Sequence, residues 1–120
     1  MALAYFINRK KSTCVITLRG SLSRNDEEIF SACLKEATTD IFRYVILNMG
    51  GIKGVDPECA RPFTIFQAGF RTKSRLYLCD MQTESARVLR AQGVVRESET
   101  FPDLLTCLQA ILSEEKARVP

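Results

Sequence analysis

The chain has 120 residues, 46% of them hydrophobic and 26% charged, with a net charge of +3 at neutral pH. That length holds one domain around one ordinary core and leaves no room for a second. The charge is mild and interspersed, so no basic run is offered to a nucleic acid; the absence of histidine removes the commonest metal ligand and neutral-pH general base, and no apolar stretch approaches the roughly 18 residues of a membrane helix.

Residues 3–8 and 13–18 are β-rich and are separated by the polar connection Arg9-Lys10-Lys11-Ser12, which predicts an antiparallel hairpin at a sheet edge. Residues 20–25 break the pattern. Ser23 or Asn25 is suited to cap a helix whose first turn holds Asp26, Glu27 and Glu28, with Ile29, Phe30, Cys33, Leu34 and Ala37 as its buried stripe. A third strand is expected over 44–49, where Val45, Ile46 and Leu47 form a continuous apolar run suited to burial on both faces.

Gly50, Gly51 and Gly54 then allow a sharp loop, Asp56 is a helix N-cap and Pro57 stands at N1, where its missing N–H is no loss. The helix so begun is expected over 57–70, with Phe63, Phe66 and Phe70 as a core stripe and Pro62 distorting the bond to the Glu58 carbonyl. A fourth strand over 76–79 precedes a helix capped by Thr83 and ending near Gln92 with Gly93 beyond it. Val94, Val95 and Arg96 suggest a brief fifth strand. The last helix is marked by Phe101, Leu104, Leu105, Leu108, Ile111 and Leu112, with Pro102 and Asp103 in its first turn and a polar tail from Ser113 expected to fray.

Helix and strand alternate after the hairpin, so the fold class is α/β with a five-stranded, mostly parallel sheet, right-handed crossovers and four helices. Val45, Ile46, Leu47, Phe66, Leu104 and Leu108 are expected inside, and Lys53, Glu58 and Arg61 outside. The cysteines at 14, 33, 59, 79 and 107 are odd in number, widely spaced and never Cys-x-x-Cys, which predicts neither a disulfide framework nor a zinc site. Four of them fall on apolar faces and read as small core residues. With no charged-then-apolar leader ahead of the first strand, a reducing cytoplasm is the expected location.

An apolar strand, a glycine-containing loop, an apolar residue, Asp56 and a helix start together resemble the core of the STAS family, the bacterial anti-sigma-factor antagonists and their relatives. Those proteins usually carry Asp-Ser-Ser-Gly at the loop tip, and a partner kinase phosphorylates the second Ser. Here the tip reads Asp56-Pro57-Glu58-Cys59, with both serines and the Gly replaced.

The resemblance implies a single domain over 1–120, strand order following the sequence, and helices largely on one face with the other comparatively open. It further implies a non-catalytic interaction module of bacterial partner-switching signalling, without cofactor, metal, nucleic acid or membrane insertion. Phosphorylation at the loop is not expected, because Glu58 occupies the acceptor position. Its partner would be an anti-sigma-type kinase or signalling scaffold, or alternatively the ATPase of an ABC transporter of which this chain is a cytoplasmic subunit.

Partner contact is expected through Lys53, Gly54, Asp56, Pro57, Glu58, Cys59 and Arg61. Glu58 is either a permanent stand-in for a phosphoserine or a favourable acid at a helix start. Arg61, Arg71, Lys73 and Arg75 either steer an acidic partner or form a solvated face. Two enzyme-class readings are weaker: Lys53 with the glycines as a phosphate cradle lacks Gly-Lys-Ser/Thr, and Cys59 as a nucleophile lacks a histidine.

Overall fold

In the computed structural model, which describes residues 3–37, 42–59, 61, 64, 75–93 and 95–118, the alternation of the sequence becomes a five-stranded sheet in chain order. β1 (Ala4–Lys10) and β2 (Thr13–Leu22) pair antiparallel as the expected edge hairpin. β3 (Tyr44–Val55), β4 (Arg75–Cys79) and β5 (Thr100–Phe101) follow in parallel.

Successive strand residues face opposite ways, so β3 and β4 feed two cores. Val45, Leu47, Met49, Leu76 and Leu78 join Cys14, Ile16, Leu18 and Leu22 of β2 in the larger one. Tyr44, Ile46, Tyr77 and Cys79 form the smaller one.

α1 (Glu27–Ala37) and α2 (Thr83–Ala91) cover the larger core with Phe30, Cys33, Leu34, Ala37 and Leu89. α3 (Leu104–Arg118) lies on the opposite face, placing Leu104, Cys107, Leu108 and Ile111 on the smaller core. Two of the three described helices thus share one face and one lies on the other, because central parallel strands that are apolar on both faces need cover on both. Among the described residues three α-helices are bounded, against the four expected. The expected helix over 57–70 opens as a 3-10 turn, Pro57–Cys59, and Arg61 and Thr64 are helical. The rest of it, with Pro62, Phe63, Phe66 and Phe70, and also Arg71, Lys73 and Val94, lies outside the described residues.

Several boundaries move for identifiable reasons. Gly50, Gly51 and Gly54 belong to β3 and not to a loop, since the strand stays paired with β2 to Leu22 and Val55 across two register shifts. Gly51 is required there because a Cβ would stand 2.6 Å from the Leu18 carbonyl oxygen, and Gly20 takes a φ of 105° at the second shift. α1 is entered through a 3-10 turn, Arg24–Asp26, and Ser23, not Asn25, provides the cap. Ile29, expected inside, is exposed. Thr83 is the first helical residue of α2, preceded by Gln82 at the cap position.

Val95 is buried but is not strand. Phe101 is strand and not helix, meeting the Tyr77 ring edge-on at 5.4 Å. Asp103 caps α3 instead, accepting from the Thr106 N–H at 2.7 Å. Leu104 and Leu108 are half-buried where full burial was expected, and Leu105 and Leu112 are 65% and 60% exposed.

Nor does the tail from Ser113 stand apart from the fold. Glu114 accepts hydrogen bonds from Tyr77 Oη at 2.6 Å, Tyr44 Oη at 3.1 Å and Arg75 Nη1 at 3.3 Å, and Glu115 accepts from Arg43 at 3.1 Å. These carboxylates fasten the last turns of α3 to the beginnings of β3 and β4.

Candidate functional site: the loop after β3

Leu22 and Val55 face each other at the ends of two parallel strands, so the loops that leave β2 and β3 emerge side by side. The Asp56 N–H donates to the Leu22 carbonyl at 2.7 Å and ties the second loop to the first. Asp56 Oδ1 then accepts from the Glu58 N–H at 3.1 Å, the capping bond that its type and position predict. Pro57 follows with its pre-set φ, and Glu58 projects into solvent at the start of the helical segment that includes Arg61 and Thr64. An acid there faces the uncompensated N–H groups of a first turn.

Glu58 has a partner that no local spacing announced. Arg24 Nε lies 3.5 Å from Glu58 Oε2, with the two side chains 78% and 58% exposed. A bridge so open to water contributes about 0–1 kcal/mol, so its effect is on the direction of the carboxylate more than on stability.

Two residues along from Arg24 stands Asp26, one of two buried polar residues in the described chain. The Asp26 carboxylate accepts from Ser23 Oγ at 2.6 Å, from the Ser23 N–H at 3.2 Å and from the Leu3 N–H at 3.3 Å. The Ser23 hydroxyl, foremost among these donors, holds that carboxyl below its ordinary range. A buried acid thus fastens the start of the loop after β2 to Leu3, and Arg24 of that loop stands beside the acid of the next.

The residues expected at the site are brought together in part by contiguity. Lys53, Pro57, Glu58 and Arg61 are exposed, Gly54 and Asp56 are half-buried, and the Cys59 backbone closes the 3-10 turn. Arg75 does not join them, because it begins β4 opposite Tyr44, at the far end of β3, and reaches Glu114. The glycines offer no phosphate cradle, since Gly50, Gly51 and Gly54 are extended strand.

Among the described residues no group of three or more His, Cys, Asp or Glu side chains is arranged to hold a metal. Cys14, Cys33, Cys79 and Cys107 are buried free thiols, and burial pushes Cys33 and Cys107 up to about 12. Arg24 and Asp26 were missed by sequence reasoning as site residues. The signal was the strand register: once β2 and β3 are paired to Leu22 and Val55, position 24 must approach position 58.

No protein-family model matches the chain, and no curated protein matches it in sequence. Solved structures do match. The chain resembles an anti-sigma factor antagonist from Mycobacterium paratuberculosis with a TM-score of 0.80 at 8% identity, over 91% of this chain and 93% of that one. RsbS of Moorella thermoacetica, in a serine-to-glutamate variant, matches with a TM-score of 0.74 at 14% identity over 93% of this chain and 97% of that one. The STAS domain of a SulP transporter from Vibrio cholerae matches with a TM-score of 0.72 at 16% identity over 92% and 89%. The fold is STAS-like.

Proposed function

We propose that this STAS-like chain is a non-catalytic interaction module that acts in the cytoplasm and docks a protein partner through 53–61, with Glu58 standing permanently where the family pattern has a phosphorylated serine. The observation that carries this is the presentation of Glu58: capped from below by Asp56, directed by Arg24 and open to solvent. A phosphoserine at such a tip brings about −1.5 to −2 charges, and Glu supplies about −1 without a kinase. The partner is then selected by a fixed charge, in the manner of a partner-switching antagonist held in one state.

A second reading is supported by the transporter STAS domain among the similar structures: the same loop docks on the cytoplasmic machinery of a membrane transporter. The identity of the captured protein separates the two. Immobilised wild-type chain is expected to retain a soluble signalling protein of kinase or scaffold type under the first reading, and a transporter component under the second.

The charge is tested with that partner purified. Glu58→Gln is expected to change its affinity by at least tenfold, about 1.4 kcal/mol, and no phosphate is expected at the loop tip after incubation with an anti-sigma-type kinase. Equal affinity of wild type and Glu58→Gln at low and physiological salt would reduce Glu58 to a helix-terminal acid.

A further inference from the structure

We propose that the groove between α3 and the β1–β2 hairpin binds a free alkyl carboxylate, its chain along the apolar walls and its head between Lys10 and Lys11. The site lies apart from the Glu58 loop and stands or falls separately. The hairpin turn sits where the parallel strands begin, with the Arg43 N–H donating to the Ser12 carbonyl at 2.9 Å, whereas the Asp56 loop sits where they end. The ten residues of β2 separate the two by roughly 33 Å.

The groove is a consequence of widths. Strands repeat every ~4.8 Å and a helix with its side chains is ~10 Å across, so α3 on β3 and β4 leaves the same face of β1 and β2 uncovered. What remains is a groove of about 670 Å³, walled by Phe6 and Val15 on the sheet and by Leu104, Leu108 and Leu112 on the helix. That volume falls within the roughly 300–1,000 Å³ typical of small-molecule sites. Phe6 is 67% and Leu112 60% exposed, apolar surface that gains by being covered.

Charge selects the occupant. The lining includes Lys10, Lys11 and Arg43 against a single acid, Glu115, and that acid is engaged by Arg43 at 3.1 Å. Among the described residues neither lysine has a salt bridge.

Lys11 also holds a φ of 54° in a two-residue hairpin turn between Lys10 and Thr13, a conformation in which Gly, Asn or Asp is favoured. A strained lysine where a glycine would sit more easily points to use of its ammonium. Two adjacent lysines lining the hairpin-turn end of a single apolar groove suit a carboxylate head on one alkyl chain.

The test is titration calorimetry on the full chain with decanoate, dodecanoate and tetradecanoate below their micellar concentrations, with dodecanol and dodecyltrimethylammonium as head-group controls. Saturable one-to-one binding is expected, two- to fourfold tighter for each added methylene, since burying one is worth ~0.8 kcal/mol when complete. Dodecanoate is expected to bind at least about tenfold tighter than either control.

Lys11→Gly relieves the strained φ, so it is expected to keep or raise the unfolding midpoint while weakening dodecanoate about tenfold and leaving dodecanol unchanged. Phe6→Ser and Leu112→Ser, both at exposed positions, are expected to weaken every chain alike. The proposal is overturned by an absence of saturable dodecanoate binding up to about 1 mM, or by binding indifferent to head group or to Lys11. It is equally overturned by binding to phosphatidylglycerol vesicles without binding to free dodecanoate, or by a dimer that Leu112→Ser dissolves and dodecanoate leaves intact.

Discussion

Asp26 contributes most to the fold as an anion. The residue is 6% exposed and its carboxylate takes three hydrogen bonds, one of them from the Leu3 N–H at the start of the described chain. Removing it leaves those donors without their partner, so Asp26→Ala is expected to cost about 1–3 kcal/mol, read as a lower urea midpoint at unchanged slope. The pH dependence has a definite sign. The folded carboxyl lies below its ordinary value of 3.8, chiefly through the Ser23 hydroxyl, so its contribution is complete above that value and is lost as pH falls through the lower folded one. Wild type is therefore expected to lose more stability on acidification below about pH 4 than Asp26→Asn does; parallel loss in both proteins would remove Asp26 from the account. At this scale the sequence was legible where chemistry is local. Asp56 capping Glu58 follows from two neighbouring residue types, whereas Arg24 beside Glu58 depends on which strands are neighbours and where their pairing ends.

α3 shows the same division at the scale of an element. Its leucine spacing identified a helix, but not its start, because Phe101 fits the helical period equally well as a strand residue against Tyr77. Nor did composition show that Glu114 and Glu115 would be anchors. The polar tail reads as solvated until Tyr44, Tyr77 and Arg75 are brought beneath it. The sequence ends β3 too early for a related reason, since its glycines have poor strand propensity and it is close approach to β2 that explains Gly51. Glu114→Ala is expected to cost about 1–3 kcal/mol by leaving two tyrosine hydroxyls without their acceptor. Burial foremost, and then the bond to Glu114, pushes Tyr77 up to about 12 from 10.0. Its neutral form is the one the fold favours, so that stability is complete below pH 10 and lost as pH rises through about 12. Chemical denaturation across this window is expected to show a steeper loss in wild type than in Tyr77→Phe, and equal slopes would contradict the assignment.

For the molecule as a whole, two cores on one sheet protect its thiols. Cys14 and Cys33 lie in the larger core and Cys79 and Cys107 in the smaller. In a Cys59→Ser background, a thiol reagent is expected to find none of these four in the native state and all of them once denaturant unfolds the chain. Labelling of the Cys79 and Cys107 pair alone at low denaturant would instead mean that α3 opens independently of the rest. The strand order has a consequence for a chain still being made. Because β1 to β5 lie in the order of synthesis, each strand finds its neighbour already present and none has to be inserted between two others. α3 comes after all of them. At about 5–20 residues per second, translation leaves Tyr44, Ile46, Tyr77 and Cys79 without their helical cover for seconds after β4 has been added. The smaller core, and not the sheet, is therefore where a nascent chain stalled before Leu104 would stick to its neighbours.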